Sequence, residues 1–189
     1  MVAHSLPSGW TAEDYLAFEE HSAVRHEFVH GHVYAMSGGT QVHSQLGGVA
    51  VALLRGLARG GPCRVFTSDM KVRVSPKVYV YPDASVSYDP RDRQPRAQEI
   101  QHAILVVEVL CPSTMDYDRG DKFNLYRAGE DLRDYVLVDC RRISVEVRAR
   151  ASGGAWRSRV YGPGEGVELA SLDTVAPVDA FYEDVDLGE

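Results

Sequence analysis

Two carboxylates in apolar surroundings are the residues of this sequence best suited to chemistry. Asp83 follows a proline within residues 78–87, and Glu108 interrupts the apolar run Ala103–Leu110. An uncompensated charge in a strand that is buried on both faces is energetically costly. Mg²⁺ prefers oxygen ligands and often takes only one or two protein carboxylates, so a bound ion would offset that cost. We therefore predict that Asp83 and Glu108 bind Mg²⁺ or Mn²⁺.

Other interpretations of this pair stay open from the residues alone. In a structural one, Asp83 ends a strand and Glu108 pairs with a buried arginine, as most ionisable residues have structural roles. In another, the two carboxylates form the acid and base of a glycoside hydrolase, which needs a sugar cleft between them. The tryptophans Trp10 and Trp156, which would line such a cleft, lie far from both carboxylates in the sequence.

The spacing of apolar residues predicts a mixed α/β chain that would position these carboxylates. Its strongest helical pattern follows Thr40, where an apolar stripe runs from Val42 to Leu57. The predicted elements, in chain order, are a helix at 11–22, a hairpin at 27–29 and 33–36, the long helix, strands at 64–74, 78–87 and 103–110, a helix from 114 or 116 to 128, a strand at 135–138, and a meander at 143–161.

Composition predicts one globular domain over residues 1–189, with an N-terminal extension at 1–36 and an acidic C-terminal tail at 164–189. Of the 189 residues, 44% are hydrophobic and 25% are charged. No signal peptide or membrane-spanning stretch is apparent, so we expect a cytoplasmic protein without a membrane partner. Three scattered cysteines without a CxxC pair, and histidines at 26, 30 and 32 without ligand spacing, give no indication of a zinc site.

The charge distribution bears on nucleic-acid binding. A formal charge of −7 argues against broad, non-specific adhesion to nucleic acid, because such binding depends on neutralising phosphates. Six arginines nevertheless fall between residues 141 and 160, in the predicted meander. We expect these arginines to contact a nucleic-acid backbone.

The arrangement of several motifs resembles that of a known nuclease group. A Pro-Asp near the end of one strand and a Glu inside the next, within a helix, three strands, a helix and a strand, resemble the PD-(D/E)xK nuclease superfamily. Within it, the chain resembles the Uma family of restriction endonucleases, a domain of unknown function, over roughly residues 11–183. The segments that carry this resemblance are Arg-His-Glu-Phe-Val-His-Gly-His-Val-Tyr-Ala-Met-Ser at 25–37, Tyr-Pro-Asp at 81–83, Val-Glu-Val-Leu-Cys-Pro-Ser-Thr at 107–114, and Asp-Arg-Gly-Asp-Lys-Phe at 118–123.

The resemblance implies a lysine that this chain lacks at the expected position. The superfamily's Glu-x-Lys would place it at 110, where this sequence has Leu110. Members with a migrated lysine imply Lys122, in the following helix, as the substitute. The alternative is an ordinary helix lysine paired with Asp118, four residues earlier. Lys71 ranks lower, because its alternation with neighbouring charged residues predicts an exposed strand face.

Two further residues are predicted to act at the site. Glu27 lies in the segment most typical of the family and is expected to complete the metal shell or orient a water, with pairing to Arg25 or a purely structural hairpin position as the alternative. His43 lies early in the long helix, where superfamily members place an acidic site residue. We expect His43 to contact phosphate or position water, with packing beside Leu46 as the alternative.

Together, these features predict a Mg²⁺- or Mn²⁺-dependent endonuclease with a restriction-endonuclease-like core, acting on nucleic acid, with DNA as the expected substrate. A homodimer is also expected, because double-strand cutters of similar fold need two sites. The alternative function is a catalytically inactive nuclease-fold module for nucleic-acid binding or oligomerisation, which Leu110 would favour.

Overall fold

The computed structural model describes residues 6, 8–36 and 38–188. Within these ranges the helices are α1 (Ala12–His21), α2 (Gln41–Leu57), α3 (Met115–Tyr117) and α4 (Phe123–Ala128), and a π-helical turn (Asp118–Lys122) joins α3 to α4. The strands are β1 (His26–Val29), β2 (His32–Ala35), β3 (Arg64–Thr67), β4 (Lys71–Ser75), β5 (Val78–Val80), β6 (Ala84–Ser87), β7 (Glu99–Ile100), β8 (Ala103–Leu110), β9 (Asp134–Asp139), β10 (Val145–Arg150), β11 (Trp156–Tyr161), β12 (Gly166–Leu169) and β13 (Thr174–Pro177). No helix in the described part of the chain is long and apolar enough to cross a membrane.

The strands form two larger sheets and a separate hairpin. The order of the six-stranded sheet is β11-β10-β9-β8-β6-β3, with β8 and β9 parallel and the other neighbours antiparallel. The order of the five-stranded sheet is β2-β1-β5-β4-β7, and β12 pairs with β13. The predicted mixed α/β fold class is confirmed.

Strand β8 lies inside the six-stranded sheet, and all eight of its residues are buried. Leu105, Val107 and Val109 join one core with Leu46, Ala50 and Leu54 of α2. The even-numbered residues Val106 and Leu110 of β8 join a second core with residues of α4 and β9. Because side chains alternate between the faces of a strand, Glu108 belongs to the face covered by α4. This face determines which partners the Glu108 carboxylate can reach.

Two segments that the sequence predicts as single strands are each divided between the two larger sheets, so that part of the prediction was wrong. Residues 64–74 form β3 and β4 around the turn at 68–70, and residues 78–87 form β5 and β6 around 81–83. Pro82 has no N–H to continue a ladder, which fits a break at this point. Asp83 therefore lies in a connection between sheets, and Lys71 is buried rather than exposed.

The segment at 164–189, expected to be an acidic tail, contributes apolar side chains to the α2 core. In β12, buried Val167 and Leu169 alternate with exposed Gly166 and Glu168. Phe181 follows in a short 3₁₀ turn and is fully buried in the same core. Among the described residues of this segment the acidic ones are exposed, whereas Val167, Leu169 and Phe181 are buried.

The N-terminal extension has a small core of its own. Thr11 caps α1 through the reciprocal capping-box hydrogen bonds with Asp14 that the sequence predicts. Tyr15 of α1 packs with Phe28 of β1 and with Tyr79 of β5. This packing attaches the extension to the five-stranded sheet and places β1 beside β5.

Candidate active site

The ammonium group of Lys122 lies among buried carboxylates. Its Nζ is 3.0 Å from Oε2 of Glu108 and 3.0 Å from Oε1 of Glu27, and it donates a hydrogen bond of 3.2 Å to the carbonyl of Tyr81. Asp118 is farther away, with its Oδ1 at 4.0 Å from Nζ. The structure therefore brings together three of the residues singled out by the sequence, and the distances favour Glu108 and Glu27 over Asp118 as the principal partners.

Each of these side chains comes from a different element. Glu27 projects from β1, Glu108 from the α4-facing side of β8, and Lys122 from the end of the π-helical turn. Both Asp118 and Lys122, at the two ends of that turn, are buried. The Tyr135 hydroxyl donates a hydrogen bond of 2.8 Å to the carbonyl of Asp118, which anchors the turn to β9. Single-turn π-helices often occur at functional sites.

Electrostatic interactions keep Lys122 charged. Burial alone lowers the pKa of Lys122, but the carboxylates of Glu108, Glu27 and Asp118 more than offset this, so its pKa lies well above the ordinary value. Burial raises the pKa of Glu108, while the positive charge of Lys122 opposes that rise. The surrounding carboxylates therefore favour the ammonium form of Lys122, which donates hydrogen bonds to its neighbours.

Both oxygens of Glu27 have partners. Its Oε1, besides contacting Lys122, accepts a 3.3 Å hydrogen bond from the backbone N–H of Tyr81, and its Oε2 accepts one of 2.9 Å from the Tyr117 hydroxyl. Arg25 pairs instead with Asp69, so the alternative pairing of Glu27 with Arg25 is not observed. Sequence reasoning missed Tyr117, because no pattern in its segment reveals the π-helical turn that positions it.

Asp83 is held beside Glu108 by the backbone. Its Oδ2 accepts a 2.7 Å hydrogen bond from the N–H of Val109, the residue after Glu108. His43 Nε2 lies 3.4 Å from the same oxygen, and hydrogen bonding to Asp83 raises the pKa of His43 against the opposing effect of burial. Thr40 accepts a hydrogen bond from the His43 N–H and so fixes the first turn of α2. His43 thus contacts Asp83, a predicted metal ligand. This contact favours a role at the site over simple packing beside Leu46.

The donor atoms fit the divalent ion that the sequence implies. Oε1 of Glu108 is buried and has no hydrogen-bond partner, so an acceptor remains for a cation. Carboxylate oxygens are ligands that Mg²⁺ and Mn²⁺ prefer. In the described ranges, no three His, Cys, Asp or Glu side chains are grouped to hold a metal. An octahedral ion at Asp83 and Glu108 would therefore need water or substrate oxygens to complete its ligands.

A cleft of about 1050 Å³ opens next to Asp83. Its lining includes Asp83, His43 and Tyr81, together with residues of α2, of the N-terminal extension and of the turn between β3 and β4. Glu108 and Lys122 are not part of this lining and lie buried behind it. Arg25 of the extension and Asp69 of the β3–β4 turn form an ion pair, so two walls of the cleft are joined.

The fold belongs to the restriction-endonuclease-like class of mixed α/β nuclease folds. It is similar to the crystal structure of "a putative nuclease belonging to DUF820" from Anabaena variabilis ATCC 29413, with a TM-score of 0.76 over 93% of this chain and 98% of that chain. The two share 14% sequence identity, so this likeness concerns the fold alone. At the level of sequence, residues 12–180 match the model of the Uma2 family, described as "Putative restriction endonuclease", and the chain belongs to that family.

Two proteins of Synechocystis sp. (strain ATCC 27184 / PCC 6803 / Kazusa) are similar in sequence. Uncharacterized protein slr1290 is 38% identical over 186 residues, which cover 96% of this chain and 97% of that protein. Uncharacterized protein sll1609 is 29% identical over 137 residues, which cover 70% of this chain and 77% of that protein. The family membership that the sequence motifs predict is confirmed.

Proposed function

We propose that this protein is an endonuclease that hydrolyses phosphodiester bonds of DNA with Mg²⁺ or Mn²⁺ held by Asp83 and Glu108. The single observation that carries the proposal is the 3.0 Å contact between Lys122 Nζ and Glu108 Oε2. It provides, from a helix, the amine that the superfamily motif would place at Leu110. The buried, unpartnered Oε1 of Glu108 gives further support.

The residues of the chain have separate tasks in this reaction. A bound divalent ion lowers the pKa of its water and neutralises charge on the phosphoryl group. The Lys122 ammonium, 3.0 Å from Glu108, would stabilise negative charge that develops there. The Val109 N–H and the His43 ring fix the orientation of the Asp83 carboxylate. Glu27, also 3.0 Å from the ammonium, holds Lys122 together with Glu108.

Cleavage assays with matched variants test the proposal. The substrates are supercoiled plasmid and single-stranded DNA, each with Mg²⁺, Mn²⁺ or EDTA. We expect Asp83→Asn, Glu108→Gln and Lys122→Met each to lower the cleavage rate by roughly 100-fold or more, as removal of a group that stabilises transition-state charge does. Lys77→Met, which changes an exposed lysine, is the control and should cleave like the parent. Undiminished cleavage by both carboxylate variants would show that the proposed site is wrong.

A catalytically inactive module for nucleic-acid binding or oligomerisation is the second candidate. Leu110 favours it, as does the fact that the charge of Lys122 is already countered by Glu27 and Glu108. Calorimetric titration with Mn²⁺ separates the two functions. A working site should bind the ion in the parent but not in Asp83→Asn, whereas an inactive module should show no binding that depends on Asp83.

The substrate, the oligomeric state and the cytoplasmic location stay predictions. Parallel assays on RNA and DNA test the expected preference for DNA. Light scattering coupled to size exclusion tests the expected homodimer, and a monomer at high concentration would contradict it.

A further inference from the structure

Lys71 is a buried lysine without a direct partner. It begins β4, and only 4% of the residue is exposed, yet it lines the same cleft as Asp83 and His43. It forms neither a side-chain hydrogen bond nor an ion pair with any residue that the structure describes. Burial lowers the pKa of Lys71, and the more distant carboxylates of Glu19, Glu99 and Glu20 only partly oppose this effect. The Lys71 amine is not among the fully buried polar atoms, so it reaches the cleft, where an anionic ligand could pair with it.

The other positive groups around the cleft are already engaged. Arg25 pairs with Asp69, and His43 faces Asp83. Lys122 lies behind the cleft wall with its own carboxylates. A strand of nucleic acid in the cleft would therefore find Lys71 as the unpaired cation among the described lining residues.

Glu19, the carboxylate with the largest electrostatic effect on Lys71, does not contact it. One oxygen of Glu19 accepts hydrogen bonds from the backbone N–H of His26 and from the Tyr81 hydroxyl, at 3.0 and 2.9 Å. Its other oxygen lies 3.0 Å from the His26 ring. Glu19 is thus held by its own hydrogen bonds, and the ammonium of Lys71 is left for an anion.

The arginines expected to contact nucleic acid are largely used within the protein. Arg148 contacts Glu146 and the carbonyl of Arg119, and Arg159 contacts Glu168. Arg150 donates to backbone carbonyls of the loop that follows α4. None of these arginines lines the cleft. Any phosphate contact inside the cleft must therefore come from another residue.

We propose that Lys71 is a phosphate-binding residue of the cleft, which holds a backbone phosphate next to the one presented to Asp83. This inference rests on the proposed nuclease function, since it assumes that the cleft receives a nucleic-acid strand. It gives the two buried lysines different tasks. Lys122 stays among carboxylates behind the cleft, and Lys71 contacts the incoming strand.

Binding measurements without cleavage test this assignment. The probes are fluorescein-labelled single-stranded and duplex DNA oligonucleotides, and their anisotropy is followed in EDTA over a series of salt concentrations. We expect Lys71→Met to raise the Kd roughly tenfold and to reduce the slope of log K against log salt by about 0.7–0.9, as loss of one phosphate contact does. Lys71→Arg should recover most of the affinity, and Lys77→Met should bind like the parent.

Unfolding in urea distinguishes this role from a structural one. Because the Lys71 amine has no hydrogen bond or ion pair with any described residue, Lys71→Met should unfold at about the same urea concentration as the parent while it binds DNA more weakly. Unchanged affinity and salt slope in Lys71→Met, or a parent that binds neither oligonucleotide at low salt, would overturn the assignment. If the parent binds through Lys71 but cleaves nothing, the nuclease proposal fails and the phosphate site stands. If the parent cleaves DNA and Lys71→Met binds it normally, the nuclease proposal stands and the phosphate site fails.

Discussion

At the scale of single residues, Lys122 and its carboxylates form a strongly coupled group. The ammonium lies 3.0 Å from both Glu27 and Glu108, and all three side chains are buried. A buried ion pair adds little net stability compared with apolar residues, but loss of one partner leaves the other charge without compensation. The arrangement is therefore better explained by chemistry than by stability alone.

This coupling can be measured. We expect Lys122→Met to lower the free energy of unfolding by about 3–5 kcal/mol, because Glu27 and Glu108 would remain buried without their counter-charge. Adding Glu108→Gln should cost less in the Lys122→Met background than in the parent. Urea denaturation of the parent, both single variants and the double variant gives the coupling energy. Strictly additive losses would show that the two groups do not interact.

The residue types at the site were largely predictable, whereas their surroundings were not. Glu108 stands out because it interrupts an apolar run, and Asp83 because it follows a proline in a recognisable motif. Lys122 could be chosen because the resemblance to members with a migrated lysine implies a lysine in the helix that follows β8. Tyr117 carries no such signal, since its contact with Glu27 depends on how the helix turns between α3 and α4.

At the scale of elements, α2 forms one wall of the cleft through residues that include glycines. Gly48 lines the cleft and Gly56 does not, and a Cβ at either position would meet no atom within 4 Å. Both glycines are exposed within the helix. They therefore offer a matched pair of sites, which differ in their position relative to the cleft.

Substitution by leucine at these two positions should separate effects on the free energy of unfolding from effects on the entry of DNA into the cleft. We expect Gly48→Leu and Gly56→Leu each to raise the free energy of unfolding by roughly 0.5–1 kcal/mol, because leucine favours the helix over glycine. Only Gly48→Leu should weaken DNA binding and cleavage, since its side chain would occupy the cleft. Urea denaturation and the oligonucleotide assay provide the two measurements. Equal activity of the two variants would argue that no strand passes along this wall.

Local features of the helices and strands were predictable from the sequence, whereas the pairing of strands was not. The α1 capping box, the hairpin at His30-Gly31 and the stripe of α2 are local features, and each was predictable. The passage of the chain from one sheet to the other at 68–70 and 81–83 was not. Alternation describes which way side chains point along a strand, but it does not reveal which strand lies alongside. Lys71 was misjudged for the same reason, because it begins a strand of the second sheet and is buried there.

At the scale of the whole molecule, the C-terminal segment forms part of the core that supports β8. Phe181, fully buried, joins the cluster that contains the α2 stripe together with Leu105, Val107 and Val109 of β8. We expect Phe181→Ala to lower the free energy of unfolding by about 3–5 kcal/mol, as truncation of a buried aromatic does. Val175→Ala, at an exposed position, should change it by less than about 0.5 kcal/mol. Urea denaturation measures both changes. If Phe181→Ala lowered the free energy of unfolding as little as Val175→Ala does, the packing described would be contradicted.

The position of Lys122 on an element separate from the strand of Glu108 affects how distant relatives can be found. An amine that approaches its carboxylate from a separate element leaves the number of intervening residues free to change, provided that the two groups still meet in space. Sequence searches that require the contiguous motif Glu-x-Lys will not detect such chains. A three-dimensional template of one ammonium between two carboxylates, 3.0 Å from each, would retrieve them from collections of folds.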